Sequence, residues 1–65
     1  MTKQEIFKQL KQRRKDLRIN QFDLCKSIDI NESTLIRNYK GDTIMSLDTF
    51  ISLCTELNIK INLEY

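Results

Sequence analysis

Side chains with catalytic or metal-binding chemistry are few in this 65-residue chain. It contains no histidine, which removes the commonest general base and metal ligand. Its nine carboxylates are scattered among basic residues, and its single glycine cannot form a glycine-rich phosphate-binding loop. Cys25 and Cys54 stand at apolar-face positions, where we expect buried, reduced thiols in preference to a disulfide or a metal site. The sequence therefore predicts no enzyme, no metal and no cofactor.

Charge is distributed unevenly along the chain. Residues 1–18 carry seven basic and two acidic side chains, a net charge of +5, whereas residues 19–65 carry four basic and seven acidic ones, a net charge of −3. This asymmetry is compatible with one face that is steered toward a polyanion. A solvated basic helix face would give the same pattern.

Length and composition are those of an ordinary globular domain. The 40% hydrophobic and 31% charged content indicates neither disorder nor a membrane protein, and the length suits a single domain. No apolar run approaches the roughly 18 residues of a spanning helix, and the basic N-terminus does not have the pattern of a targeting peptide. We therefore expect a cytoplasmic protein with no membrane partner.

The segment 21–41 carries most of the functional information. Asn20 and Asn31 are helix-capping residues, and each stands just before apolar residues at helical spacing. Gly41 suits the left-handed residue that ends a helix. The pattern predicts two short helices joined by a tight turn, a helix-turn-helix, whose shape fits a helix into the major groove of DNA.

Capping residues also mark one helix on either side of this unit. Thr2 and Glu5 have the spacing of a capping box, Ser46 suits the start of the last helix, and Asn58 suits its end. The apolar stripe of the first helix is Ile6, Phe7, Leu10 and Leu17, and that of the last helix is Leu47, Phe50, Ile51, Cys54 and Leu57. The predicted helices lie within residues 2–18, 21–28, 32–40 and 46–58.

Residues 59–65 change to a period of two. Apolar and polar side chains alternate at every step, which predicts a β-strand with one buried face. The sequence offers no second strand, so we expect antiparallel pairing with a second copy; a segment folded onto its own helices is the alternative. A two-fold axis at Asn62 would set Lys60 opposite Glu64 of the partner subunit, a pairing worth roughly 0.2–1 kcal/mol. The predicted dimerisation residues are Ile59, Lys60, Ile61, Asn62, Leu63, Glu64 and Tyr65.

Taken together, these patterns resemble the Cro/repressor-type (XRE) helix-turn-helix family over residues 10 to 58. The matching residues are Leu10, Arg14, Asn20, Gln21, Leu24, Cys25, Ile28, Ile30, Asn31, Ser33, Thr34, Leu35, Gly41, Ser46, Leu47 and Leu57. The resemblance implies a mainly all-α, four-helix lambda-repressor-like domain over residues 1–58, with 59–65 as a dimerisation strand. The alternating C-terminal segment is similar to that of HipB-like antitoxins, whose strands pair across the dimer.

The resemblance further implies a recognition helix over about residues 32–40. Glu32, Ser33 and Arg37 occupy positions that reach base edges in relatives. Arginine can bridge O6 and N7 of guanine, and glutamate can accept from N4 of cytosine. Glu32 also suits the positive end of its own helix, so a structural role is equally open there. The residues implied to contact the DNA backbone are Gln21, Lys40 and Thr43.

Four positions depart from the family pattern. Asp29 replaces the turn glycine, and it tolerates a left-handed backbone better than most residues do. Tyr39 replaces the acid that usually pairs with Arg14, and Asn38 takes a commonly apolar position. Ile36 stands where an outward polar residue is usual; we expect it in the core, and an exposed Ile36 would instead touch a thymine methyl group.

The sequence as a whole predicts a dimeric repressor that binds double-stranded DNA at an imperfect palindrome. The alternative is an antitoxin-type protein-interaction module that binds a toxin, with DNA binding secondary. Asp29, Glu32 and Asp42, which lie near the expected DNA face, favour this alternative. A phage or mobile-element regulator with no protein partner is a third possibility.

Overall fold

The computed structural model describes residues 1–64, and these fold into four α-helices with no strand. The helices are α1 (Lys3–Asp16), α2 (Gln21–Ser27), α3 (Glu32–Lys40) and α4 (Leu47–Glu56). They confirm the predicted order and number, and each boundary lies within two residues of the expected one. The predicted all-α character of the domain is therefore confirmed.

Side-chain caps begin three of the four helices. First-turn amides donate to Thr2 Oγ1 at 3.2 Å, to Asn20 Oδ1 at 2.7 Å and to Ser46 Oγ at 3.1 Å. Each bond satisfies a backbone donor that has no partner within its helix. Asn31 holds the N-cap position of α3 with extended backbone angles, but its side chain makes no capping hydrogen bond. The prediction that Asn31 caps α3 is thus correct for its backbone and wrong for its side chain.

All four helices end in the same backbone motif. The residue that reverses the chain has a positive φ, and the amide of the next residue donates to a carbonyl five positions back, as from Ile30 to Cys25 at 3.0 Å. This Schellman arrangement satisfies the last carbonyls of the helix. The residues with positive φ are Arg18 (56°), Asp29 (59°), Gly41 (86°) and Asn58 (55°). Asp29 therefore takes the left-handed role expected of it, and Asn58 ends α4 as predicted.

The core lies where the four helices meet. Its buried members are Phe7, Leu10, Leu24, Cys25, Leu35, Tyr39, Leu53, Cys54 and Leu57. Ile19, Ile30 and Ile59, which each follow a left-handed residue, pack against this core and tie the chain reversals to it. The helix-turn-helix is therefore stabilised by core contacts of α2, of Ile30 in the turn and of α3.

The predicted apolar stripe of α4 is correct at Phe50, Cys54 and Leu57 and wrong at Leu47 and Ile51. Leu53, which it omits, is fully buried, whereas Leu47 and Ile51 are 71% and 44% exposed. Leu53 follows Phe50 by three residues and precedes Leu57 by four, so it shares their face of the helix. Leu47 and Ile51 lie four residues apart on a neighbouring, solvent-facing strip.

Leu17 also departs from its expected place in the core. Its side chain is 38% exposed. Because α1 ends at Asp16 and Leu17 is its C-cap, the chain turns there and the stripe of α1 is not continued. The buried side chains of α1 are Phe7 and Leu10.

Both cysteines are buried and free, as predicted. Burial raises the pKa of the Cys25 thiol and the pKa of the Cys54 thiol, so both stay protonated at neutral pH. Within residues 1–64 no cluster of three potential metal ligands occurs. No helix in this part of the chain is long and apolar enough to cross a membrane.

The C-terminal segment does not form the predicted strand within the single chain. Ile59 packs against the core, but Ile61 and Leu63 are 49% and 89% exposed. The described residues offer this segment no backbone partner, and an unpaired strand is not stable in water. Beyond Ile59 it is not folded onto its own helices either. Tyr65, the last residue of the predicted strand, lies outside the described residues.

Candidate nucleic-acid interface

Helix α3 has one buried and one exposed face. Because successive turns of a helix bring residues three and four apart together, its exposed side chains form one continuous surface. The buried side chains are Leu35, Asn38 and Tyr39. The exposed side chains include Ser33, Ile36, Arg37 and Lys40. We call this set the α3 face.

Two of the three residues predicted to read bases lie together on the α3 face. Ser33 and Arg37 are one turn apart, and Arg37 Nε donates to the Ser33 carbonyl at a long 3.4 Å. Most donors of the guanidinium are therefore directed away from the helix backbone. An arginine held in this way can project its planar donor group toward an acceptor such as a guanine edge.

Glu32 lies at the edge of this face and is partly buried. Burial is the main cause that raises the pKa of the Cys25 thiol, and the nearby charge of Glu32 adds to it. Glu32 is therefore close to the α2–α3 packing surface, and it also stands in the first turn of α3, where negative charge is favoured. These contacts favour the structural role left open for it.

Ile36 is not a core residue. It is 39% exposed and lies on the α3 face between Ser33 and Arg37. The expectation of a buried Ile36 is therefore wrong, because the buried face of α3 is centred on Leu35 and Tyr39. An exposed apolar group at this place is suited to contact a thymine methyl group.

Asn31 is a further candidate for a polar contact with a ligand, although its sequence pattern indicated only a helix cap. Its side chain is exposed at the start of α3 and accepts no capping hydrogen bond. Its amide therefore keeps both donors and its acceptor free within the described chain. The residue type signals both a cap and a polar contact, so the sequence alone could not separate the two roles.

The three predicted backbone-contact residues lie at the ends of the two helices. Gln21 is the first residue of α2 and is half-buried. Lys40 is the last residue of α3, and Thr43 follows in the loop; both are exposed. Lys40 thus belongs to the α3 face and Thr43 follows it in the chain, whereas Gln21 lies on the other helix of the unit.

Asn38 explains how Thr43 is positioned. This amide is only 4% exposed, and its Nδ2 donates to Thr43 Oγ1 at 2.8 Å and to the Thr43 carbonyl at 3.4 Å. Because the Thr43 hydroxyl accepts this bond, its own proton is directed elsewhere and is free to reach an external acceptor. Asn38, which departs from the family pattern, thus fixes the α3–α4 loop by hydrogen bonds. Its residue type alone did not reveal this role.

Tyr39 occupies the position of the acid that usually pairs with the arginine at position 14, and it packs there as an aromatic residue. Its ring lies 5.2 Å from the Phe7 ring, centroid to centroid, at an angle of 60°. Burial is the main cause that raises the pKa of Tyr39 to about 12, and the nearby Arg14 charge partly opposes it. Arg14 Nη1 instead donates to the Ile19 carbonyl at 2.8 Å, just before α2 begins.

An apolar groove lies away from the α3 face, between the start of α1 and the start of α4. It encloses about 320 Å³, and its rim carries Ile44 and Leu47, which are 88% and 71% exposed. Among the described residues that line it, Lys3 alone is charged. The other lining residues are Ile6, Phe7, Met45, Ser46 and Phe50.

Comparison with known proteins agrees with this geometry. No curated protein and no solved structure matches the chain. A family model described as the Cro/C1-type HTH DNA-binding domain matches residues 9–62, which include all of α2, α3 and α4 and most of α1. With its capped α2–turn–α3 unit and the exposed polar face of α3, the chain belongs to the Cro/C1-type helix-turn-helix DNA-binding family.

Proposed function

We propose that this chain is a transcriptional repressor that binds double-stranded DNA sequence-specifically as a homodimer. In this proposal α3 enters the major groove, residues 1–58 form the DNA-binding domain and residues 59–65 form the dimerisation element. The protein acts by occupying a promoter rather than by catalysis. The observation that carries the proposal is the α3 face, a mainly polar, exposed surface on the second helix of the helix-turn-helix, in a chain of a DNA-binding family.

In this arrangement the α3 face reads bases. Arg37 donates to a guanine, Ser33 adds an adaptable hydroxyl, and Ile36 packs on a thymine methyl group. Glu32 contributes at the edge of the face, by accepting from a cytosine or by supporting the start of α3. A bidentate arginine contact discriminates against the wrong base by about 1–3 kcal/mol.

The ends of the helices position α3 on the duplex. Gln21 contacts a phosphate at the start of α2, while Lys40 and the Thr43 hydroxyl contact phosphates beyond the end of α3. Such contacts fix the orientation of the protein and carry no sequence information directly. They therefore contribute to affinity for every sequence.

Dimerisation is supported by the C-terminal segment. Ile61 and Leu63 are exposed in the single chain, although their alternation with polar residues is the pattern of a one-sided strand. Pairing with a second copy would satisfy the backbone of this segment and cover both side chains. A dimer of this kind binds two half-sites about one helical turn apart.

The α3 assignment is tested with Arg37→Ala, and Lys26→Ala removes an equal, exposed charge from α2 as the matched control. Binding is measured by fluorescence anisotropy with operator duplexes that carry each base in turn at every position. We expect Arg37→Ala to weaken specific binding by about 1–3 kcal/mol and to relax one base position in each half-site. Full specificity in a folded Arg37→Ala protein would refute the placement of α3.

The dimer is tested by light scattering at micromolar concentration. We expect the mass of two chains for the native protein and the mass of one chain for the double variant Ile61→Ser, Leu63→Ser. The control is Lys8→Ser with Lys15→Ser, two exposed α1 positions outside the segment. A monomeric native protein would contradict the role of residues 59–65.

A second candidate is an antitoxin-type module that binds a toxin, with DNA binding secondary. The observation that favours it is the apolar groove, whose rim residues Ile44 and Leu47 are largely exposed. Exposed apolar patches of this kind mark protein-interaction sites. Stable co-purification of a second protein, lost in Leu47→Asp and retained in Arg37→Ala, would support this candidate over a purely DNA-binding regulator.

A further inference from the structure

Lys11, Arg14 and Tyr39 lie together where α1 packs against the end of α3. The Lys11 ammonium stands 4.7 Å from the centroid of the Tyr39 ring. Arg14 is close enough for its charge to act on the Tyr39 hydroxyl, since it lowers the pKa of that group against the stronger effect of burial. The ring thus has one cation over its face, and a second cation, Arg14, stands one turn further along α1 from Lys11. We call these three residues the basic–aromatic cluster.

Of the two cations, Arg14 is the one whose position is more restricted. It is half-buried, and its Nη1 donates to the Ile19 carbonyl at 2.8 Å. Ile19 precedes Gln21, the proposed phosphate contact, by only two residues, so the guanidinium lies beside the segment that leads into α2. An arginine has five N–H donors in a rigid fork. Most of them are not used by the bond to Ile19.

Among the described residues neither Lys11 nor Arg14 donates to a carboxylate, although the charges of Glu32 and Arg14 both act on the Cys25 thiol. The two acids of α1 are engaged elsewhere: Glu5 accepts from the Thr2 hydroxyl, and Asp16 accepts from the Gln12 amide. Tyr39 is a phenol that stays uncharged over the physiological range, because its pKa is about 12. Half-buried arginines are commonly paired with an anion. Within residues 1–64 the hydrogen bond of Arg14 goes to a carbonyl and not to an anion, so its remaining donors are open to an anion from outside.

We propose that Lys11, Arg14 and the Tyr39 hydroxyl bind a backbone phosphate of the DNA duplex, next to the phosphate contacted by Gln21. This inference rests on the proposed DNA-binding function and adds a contact site on α1 to it. The guanidinium fork matches the geometry of phosphate oxygens, the ammonium adds a compact charge, and the hydroxyl adds a neutral donor.

Arg13 provides a matched comparison for Arg14. It is the neighbouring residue of α1, is also half-buried and also donates to a carbonyl, from Nε to Leu57 at 2.9 Å. Its partner lies at the end of α4, whereas the partner of Arg14 lies at the start of α2. The two arginines therefore have the same charge and similar burial, and they differ in the element that they face.

The experiment compares Arg14→Gln with Arg13→Gln across a salt series. Dissociation constants for an operator duplex and for an unrelated duplex are measured by fluorescence anisotropy. One lost phosphate contact reduces the slope of log K against log salt by about 0.9. We expect this reduction for Arg14→Gln with both duplexes, and a native slope for Arg13→Gln. An equal slope change in the two variants, or a native slope in Arg14→Gln, would overturn the proposal.

Further variants keep the test decisive if Arg14→Gln unfolds, which circular dichroism would reveal. Lys11→Gln alters an exposed residue and should reduce the slope by about 0.9 on its own. Tyr39→Phe should weaken binding to both duplexes without a change of slope, because it removes no charge. A folded Lys11→Gln protein with a native slope would overturn the proposal just as directly.

Failure of this inference is distinguishable from failure of the proposed function. If the native protein binds neither duplex, the proposed function itself is wrong. If the native protein binds its operator and the Arg14 and Lys11 variants keep its salt slope, only the phosphate site on α1 is refuted. Lys40→Gln, a phosphate contact that belongs to the proposed function, should reduce the slope in either case and calibrates the measurement.

Discussion

The helix-turn-helix unit, residues 21–41, and the region from α4 to the C-terminus bury their apolar side chains to different extents. In the first, Leu24 and Leu35 are almost fully buried, and the exposed apolar residues Phe22 and Ile36 stand alone among polar ones. In the second, Leu47, Ile51, Ile61 and Leu63 are all exposed, although each belongs to a regular apolar pattern. The two regions have the same helix-ending motif, so local backbone structure does not cause the difference.

The first region thus covers most of its apolar side chains within the single chain, whereas the second leaves four of them exposed. Within the single chain most apolar side chains of the helix-turn-helix unit are covered by the shared four-helix core, since Leu35 from α3 and Leu24 from α2 have almost no exposed surface. The α4 and C-terminal region has apolar side chains that the described part of the chain leaves exposed. Such surface is typical of a region that contacts another molecule, which agrees with the proposed dimer.

Truncation of one leucine in each region should separate them most clearly. Leu35→Ala removes a fully buried side chain and should lower the free energy of unfolding by about 2–5 kcal/mol. Leu47→Ala removes one that is 71% exposed, and we expect a change below about 0.5 kcal/mol. Urea unfolding at a concentration where the protein is monomeric measures both.

Either of two results for Leu35→Ala and Leu47→Ala would contradict the difference between the two regions. A large loss of stability for Leu47→Ala in the monomer would mean that the α4 region is closed by its own chain. A small loss for Leu35→Ala would mean that the helix-turn-helix core is not the main source of stability. Leu53→Ala, a fully buried position on α4, is the internal control and should be as costly as Leu35→Ala.

Alkaline pH should destabilise the helix-turn-helix core through Tyr39. Its pKa is raised from 10.0 to about 12 in the folded protein, chiefly by burial, so the unfolded chain loses the phenolic proton first. The free energy of unfolding should therefore be unaffected by this group below pH 10 and fall as pH rises from 10 to 12, by on the order of 2 kcal/mol.

Denaturant unfolding at a series of pH values checks this effect. The buried thiols of Cys25 and Cys54 also have a raised pKa and act in the same direction above pH 9, so the decisive comparison is with Tyr39→Phe. That variant should lose stability less steeply between pH 10 and 12. An identical pH dependence in the native protein and in Tyr39→Phe would contradict the assignment.

Substitution of the helix-ending residues Gly41 and Asn58 should give a smaller difference in stability between the two regions. Gly41 ends α3 with φ of 86°, and a Cβ added there meets no atom within 4 Å. Gly41→Ala should therefore cost only the backbone strain of a left-handed residue, about 1–2 kcal/mol. Asn58→Gly at the end of α4 relieves that strain but loosens the unfolded chain, and we expect a change below about 1 kcal/mol.

Thermal unfolding of the two variants and the native protein measures this difference. A loss for Gly41→Ala well above 2 kcal/mol would mean that the α3–α4 loop is displaced, because free space leaves no steric clash to explain it. A cost for Asn58→Gly comparable to that of Gly41→Ala would show that the Asn58 side chain, and not its backbone, stabilises the end of α4.

The sequence predicted most of the fold because its signals are local. The caps at Thr2, Asn20 and Ser46 and the left-handed positions Asp29 and Asn58 depend on neighbouring residues only, and all five have their expected backbone roles. Helical spacing also identified most of the core. Each of these features depends only on the residues of one segment and their immediate neighbours.

What the sequence did not predict depends on contacts between segments. The buried strip of α4 was predicted only in part, because both Leu53 and Ile51 fit a helical period and only packing against the other helices decides between them. Ile36 was expected in the core for a similar reason. The bond from Asn38 to Thr43 and the approach of Lys11 to Tyr39 join separate elements, which residue spacing does not reveal.

The most direct test of the account is in vitro selection from a random duplex library with the native protein, at about 150 mM salt to suppress non-specific phosphate binding. We predict enrichment of a two-fold symmetric motif whose half-sites lie about one helical turn apart. The same selection with Arg37→Ala should lose the preference at one position of each half-site. No enrichment by the folded native protein would contradict sequence-specific recognition through α3.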